Sequence, residues 1–255
     1  MLLRALAVSV LLVLGLGGTA SAERVDVART APAGDLSGKV VVLDPGHQLG
    51  NASHPTQINR LVTAGPTRKP CNTTGTSTNG GYPEATFNWQ VARLVAKALR
   101  ERGVRVIMTR HSNSRSAWGP CVDVRGRAGN KIHADLKVSI HADGSLSPGA
   151  RGFHVIAPAR IEGWTDDIAA PSLRLARTLR AALVRADLPR ANYIAGGDGL
   201  DVRGDLGTLN LSDVPVAMVE LGNMRNATEA RRMTSAQGRR GYARALVKGI
   251  VRALR

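Results

Sequence analysis

The sequence predicts a single α/β domain, a mostly parallel β-sheet flanked by helices on both faces. Three observations carry this expectation. Short β-branched apolar runs alternate with longer segments of 3.6-residue periodicity, the pattern left by helical crossovers between parallel strands. The chain has 255 residues, 43% hydrophobic and 21% charged, enough for an ordinary globular core. No internal repeat or long low-complexity linker divides it, so residues 39–255 parse as one domain.

The first 22 residues stand outside that domain. Met1–Arg4 gives a positive start, Ala5–Leu16 is apolar except for Ser9 and Gly15, and Ala20-Ser21-Ala22 is a small-residue cleavage signal. A dozen or so apolar residues fall short of the roughly 20 that span a bilayer. A signal peptide over 1–22 is therefore expected rather than a retained anchor, with export to periplasm, cell wall or medium. Residues 23–38 read as a polar lead-in.

Val40–Leu43 is the first strand, apolar throughout and bounded by Gly38 and Pro45, as a strand covered on both faces should be. Residues 48–81 form a long Thr, Asn, Gly and Pro-rich loop, a length that usually signals function or disorder. Pro83 opens a helix with Glu84 in its first turn and Gly103 past its end. Its stripe is Val91, Leu94, Val95, Ala98 and Leu99. Val104–Met108 is the second strand. Asp123 reads as the N-cap of a short helix reaching Ala134. Leu136–Ile140 and Gly152–Ala157 are strands three and four. Pro171–Ala186 is a helix with Leu175, Ala176, Leu179, Ala182 and Leu183 on one face. Val216–Val219 is the last strand, and a capping-box pattern at Thr234–Gln237 starts a C-terminal helix that buries Tyr242, Leu246, Ile250 and Ala253.

Two cysteines, Cys71 and Cys121, lie in polar loops. In an exported chain an even count favours a disulfide over two free thiols, and closing a loop of about 50 residues stabilises by about 4 kcal/mol. Lys and Arg outnumber Asp and Glu by 35 to 19, for a net charge of +16. Aromatics are only 3% of the chain, which argues against a nucleic-acid binder relying on base stacking. Arginines such as Arg174, Arg177, Arg180 and Arg185 are spread along helices, as on a solvated face.

In open α/β sheets, ligands gather at the carboxyl ends of the strands. Four chemistry-bearing residues fall there: His47 after the first strand, Glu84 at a helix start, His141 after the third strand and Glu220 after the last. Two imidazoles and a carboxylate are a common zinc set, and a further free carboxylate suits a general base. By spacing alone ordinary readings stay open. His47 could be a turn residue, Glu84 a partner of the helix dipole, His141 a strand-end hydrogen bonder and Glu220 an ion-pair partner of an arginine.

The segments Leu43-Asp44-Pro45-Gly46-His47, Ser139-Ile140-His141-Ala142-Asp143 and Val219-Glu220-Leu221-Gly222-Asn223 closely resemble signatures of the zinc-dependent N-acetylmuramoyl-L-alanine amidases of autolysins and cell-separation enzymes. Gly80-Gly81-Tyr82-Pro83-Glu84 and Arg127-Ala128-Gly129-Asn130 are similar to two further segments of that family. The resemblance runs from about Val40 to the C-terminus. It implies a twisted, mostly parallel sheet, His47, Glu84 and His141 as Zn2+ ligands, Glu220 as the catalytic carboxylate, and peptidoglycan or its fragments as substrate. It also departs from the family: the 48–81 loop is longer and more polar, Asp143 replaces a frequent Asn, and Asn223-Met224 stands where an aromatic often follows the glycine. A monomer is expected, with no transmembrane span after signal cleavage, no nucleic-acid partner, and electrostatic attraction to anionic wall polymers.

Overall fold

The computed structural model describes residues 35–255; the expected signal peptide and most of the lead-in lie outside the described residues. The chain runs β1 (Val40–Pro45), α1 (Pro55–Asn59), β2 (Leu61–Thr63), β3 (Arg68–Pro70), α2 (Glu84–Arg100), β4 (Arg105–Met108), α3 (Val122–Arg127), β5 (Leu136–Asp143), β6 (His154–Pro158), α4 (Ala169–Val184), β7 (Leu200–Arg203), α5 (Gly207–Asn210), β8 (Val216–Asn223), α6 (Ala227–Thr234) and α7 (Ala236–Ala253). Six strands form one sheet in the order β4-β1-β5-β8-β6-β7. All neighbours are parallel except β6 and β8, so the expected α/β class holds.

Alternation along the strands sorts side chains between two layers. Val41 and Leu43 of β1, Val138 and Ile140 of β5, and Val219 and Leu221 of β8 point into one large core. The helices α2, α4 and α7 close it with Val91, Val95, Leu99, Leu175, Leu179, Leu246 and Ile250. The opposite face is thinner: Val42, Ala134 and Val214 form one small cluster, and Ile156, Ile168, Leu209, Val216 and Met218 another. Short α3 and α5 lie on that side. Among the described residues no helix is long and apolar enough to cross a membrane.

Several local expectations need correction. The helix near Asp123 begins after Cys121 and ends at Arg127 instead of Ala134. Gly129 turns the chain with a left-handed φ of 96°, and a 3-10 turn follows at Asn130–Ile132. The cap of α7 is Ser235, whose hydroxyl accepts the Gly238 N–H at 3.0 Å, one residue beyond the expected Thr234. Ala253 is exposed and Leu254 takes the core position. The 48–81 segment is not structureless. It holds a 3-10 turn, α1 and the antiparallel β2–β3 hairpin. Elements of three to five residues are too short to show a period in sequence.

A Cys71–Cys121 disulfide ties this segment to the start of α3. Around it, Asn72 Nδ2 donates to the Pro120 carbonyl at 2.7 Å and the Gly119 N–H donates to Asn51 Oδ1 at 2.9 Å. The long loop is thus pinned along its length against the carboxyl edge of the sheet.

Candidate metal centre and cleft

His47 leaves β1 through the Asp44-Pro45-Gly46 turn with a left-handed φ of 58°. Its Nδ1 lies 3.0 Å from the Thr73 carbonyl oxygen. A carbonyl can only accept, so Nδ1 carries a proton, and Nε2 is the ring atom that would face a metal once it gives up its own proton. That Nε2 is 3.2 Å from Glu84 Oε2. His141, at the end of β5, places Nδ1 3.0 Å from Glu84 Oε1. The ligand-capable atoms of His47, Glu84 and His141 all lie within 4.8 Å of one another. Gly46 makes this approach possible, because a methyl group at its Cα would overlap the His141 ring.

Glu84 is 5% exposed and firmly oriented. Asn88, one turn along α2, donates Nδ2 to Oε1 at 3.0 Å, and the Thr76 N–H donates to Oε2 at 3.0 Å. Burial alone would raise its pKa; the neighbouring His47 charge and the hydrogen bonds from both imidazoles outweigh this and hold it well below the usual range. Burial likewise opposes the His47 charge, yet the Glu84 carboxylate holds its pKa above normal. For His141 burial wins and the pKa falls.

Glu220 stands on β8 in register with His141 on β5 and with His154 on β6. Three chemistry-bearing side chains therefore lie abreast across adjacent strands. Glu220 Oε2 is sealed from solvent and has no hydrogen-bond partner among the described residues. Burial raises its pKa well above the usual carboxylate range, and the negative charges of Glu84 and Asp143 add to the effect against Arg203. His47, His141 and Glu220 open into a cavity of about 300 Å³ walled by Lys69 and Thr73 from the loop and by Asp205 to Thr208.

The sequence model of the N-acetylmuramoyl-L-alanine amidases matches residues 41–252. The chain is 41% identical over 240 residues to the N-acetylmuramoyl-L-alanine amidase Rv3717 of Mycobacterium tuberculosis, covering 94% of this chain and 95% of that protein. The chain belongs to the N-acetylmuramoyl-L-alanine amidase family. By that membership it is an enzyme, an amide hydrolase of this class. Solved structures agree: Ami1 from Mycobacterium smegmatis superposes with a TM-score of 0.79 at 39% identity, over 86% of this chain and 98% of its own. Apo Ami1 from Mycobacterium abscessus gives 0.79 at 43% identity, over 86% and 100%.

In this amidase the structure also reveals groups that sequence reading passed over. Arg127, singled out with Asn130, is exposed and sits 3.7 Å from Asp123. The buried arginine of that helix is Arg125, 2.6 Å from Asp44 Oδ1. It also donates to the carbonyls of Pro45 and His47 at 2.8 Å each, and so clamps the turn that presents His47. Lys137, fully buried beside it, donates to the Arg125 and Gly126 carbonyls at the end of α3. Burial, opposed by Asp44, pushes its pKa down to about 7. Asn130 bridges to the approach of β8, donating to the Leu211 carbonyl at 3.0 Å and accepting the Asp213 N–H at 3.1 Å. Met224 fills a core site.

Proposed function

We propose that residues 1–22 are removed on export and that residues 39–255 cleave the amide between the lactyl group of N-acetylmuramic acid and L-alanine of the peptidoglycan stem, with zinc as cofactor. The role would be remodelling or turnover of the wall, or separation of daughter cells. One observation carries the reading: His47, Glu84 and His141 converge, with the half-buried, unpartnered carboxylate of Glu220 on the next strand.

The donor set fits zinc, since two imidazoles and a carboxylate are a usual catalytic complement. The Thr73 carbonyl on His47 and Asn88 on Glu84 are the outer partners that orient such ligands. Bound there, zinc polarises the scissile carbonyl and acidifies a neighbouring water.

The remaining work belongs to the chain. Glu220 accepts a proton from the attacking water and later returns it to the departing L-alanine amine. Its side chain lines the same cavity as His47 and His141, a placement that suits both halves of that exchange. Its position on a buried strand fixes the transfer distance, and misplacement by about 1 Å can cost on the order of 100-fold.

Digestion of purified peptidoglycan, read by mass spectrometry, tests the reading. The expected products are glycan bearing free lactyl carboxylates and peptides beginning with L-alanine. Fragments cut within the stem would instead identify a peptidase, and binding without cleavage a wall-binding protein. His141→Ala should lose zinc and activity together; full zinc occupancy in that variant would overturn the ligand assignment.

A further inference from the structure

The helix-covered face of the sheet carries a feature that hydrolysis does not need. From Ser235 to Arg255 the chain has six basic residues and no acidic one. Arg244, Lys248 and Arg252 follow one another at i, i+4 and i+8 along α7, and all three are exposed. Like charges at that spacing destabilise a helix by roughly 0.2–0.5 kcal/mol per pair. This stripe is therefore held at a cost to the fold.

The stripe forms one wall of a groove of about 930 Å³ between α7 and the end of α4. Arg185, Arg232 and Arg255 add three more exposed cations around it. Among the described residues, no carboxylate lies within 4 Å of any of these six. The floor includes Ala182, Ala186, Gly241 and Ala245, small residues over which a chain can lie closely. Met218 and Glu220 face the catalytic cavity, whereas the alternating Ala217, Val219 and Leu221 face the core under α4 and α7. The groove and the cavity thus occupy opposite sides of the sheet.

We propose that this groove binds a flexible, base-free linear polyanion of repeating phosphate groups, an anchor that leaves the catalytic cavity free. Five of the six cations are arginines, whose planar forks grip phosphate oxygens in pairs. A membrane surface fits less well. The site is concave, and the exposed Leu61, Trp118, Leu146, Trp164 and Val202 all lie outside it, whereas interfacial helices present such residues beside their cations. The groove's one aromatic, Tyr242, is 1% exposed, so it offers no platform for stacking bases. Placing the polymer in the cell wall rests on the amidase reading; the binding itself does not.

The test uses long-chain inorganic polyphosphate as probe and two triple variants of the purified protein. Arg244→Gln/Lys248→Gln/Arg252→Gln removes the stripe. Arg115→Gln/Lys131→Gln/Arg160→Gln removes the same charge from exposed sites elsewhere. With a log–log salt slope near 0.7 per contact, three lost contacts flatten the slope by about 2 and weaken binding roughly 50-fold at about 0.15 M salt. The control triple should stay within about threefold of wild type. Both triples should cleave a soluble muramoyl-L-alanine fragment normally, while the stripe variant releases less product from walls that keep their anionic polymer. Equal losses in both triples, no polyphosphate binding by wild type, or preferential binding of phosphatidylglycerol vesicles or of duplex DNA would each overturn the groove. If wild type binds polyphosphate yet leaves the soluble fragment intact, the amidase reading fails and the groove stands.

Discussion

Replacing Arg125 by Met should be among the costliest single changes in this amidase. The guanidinium and Asp44 are 3% and 0% exposed, and 2.6 Å apart. Thr109 Oγ1 and Ser139 Oγ also donate to Asp44, at 2.5 and 2.7 Å. Without Arg125, a buried carboxylate loses its countercharge, and the Pro45, His47, Gly119 and Pro120 carbonyls lose a donor. Breaking a buried pair from one side costs about 3–5 kcal/mol, or about 10 °C in Tm for a domain of this size. Asp44→Asn strands the opposite charge and should cost a comparable amount. The double variant carries neither charge, so its loss should fall short of the sum by at least about 2 kcal/mol. Acid sharpens the test. Burial would raise the Asp44 pKa, but Arg125 and the two hydroxyls hold it far below the usual value. A depressed carboxylate contributes its full stability above the unfolded pKa of about 3.9 and loses it as pH falls. The gap between wild type and Arg125→Met should therefore narrow below about pH 4. Denaturant titration of the four proteins at pH 7 and pH 3 measures all of this. A single-variant loss under about 1 kcal/mol, or strict additivity, would refute the clamp.

Other outcomes follow from the same geometry. Glu220→Gln keeps the shape but cannot accept a proton, so zinc content and melting temperature should hold while hydrolysis slows at least about 100-fold; a near wild-type rate would assign the base elsewhere. Gly46→Ala drives a methyl into the His141 ring and should cut zinc affinity at least about tenfold with the fold retained, read by competition with a chelator. Cys71→Ser/Cys121→Ser opens a loop of sequence separation 50 and should lower stability by about 4 kcal/mol; an unchanged denaturation midpoint would show that the loop's hydrogen bonds suffice.

What was legible in the sequence was what periodicity and strand ends encode. Val40–Leu43 and Val216–Val219 are apolar on both faces because both faces are covered, and that pattern survives in one dimension. Strand ends placed His47, Glu84 and His141 at one edge of the sheet, where the structure brings them together, but reading them as a metal set took the family resemblance of the segments that hold them. Residues acting across distance left no such trace. Asp44 and Arg125 are separated by 81 positions, and nothing in an arginine-rich chain marks Arg125 over Arg127. Burial alone separates them. Strand β7 escaped notice because it is a four-residue edge strand with its side chains half-exposed or exposed. The short α5 and α6 fall below the window in which a helical face can be recognised.

The ladder that sets His141, Glu220 and His154 abreast has a wider consequence. Neighbouring strands lie about 4.8 Å apart by the geometry of the backbone hydrogen bond, so the spacing between imidazole and carboxylate is inherited from the lattice of the sheet. The loop over residues 48–81 and the turn around Asp205 shape access and substrate fit without setting that spacing. A different loop grafted over the cavity would leave that one spacing to the sheet, but would have to supply again the Thr73 carbonyl that holds His47 and the Thr76 N–H that holds Glu84.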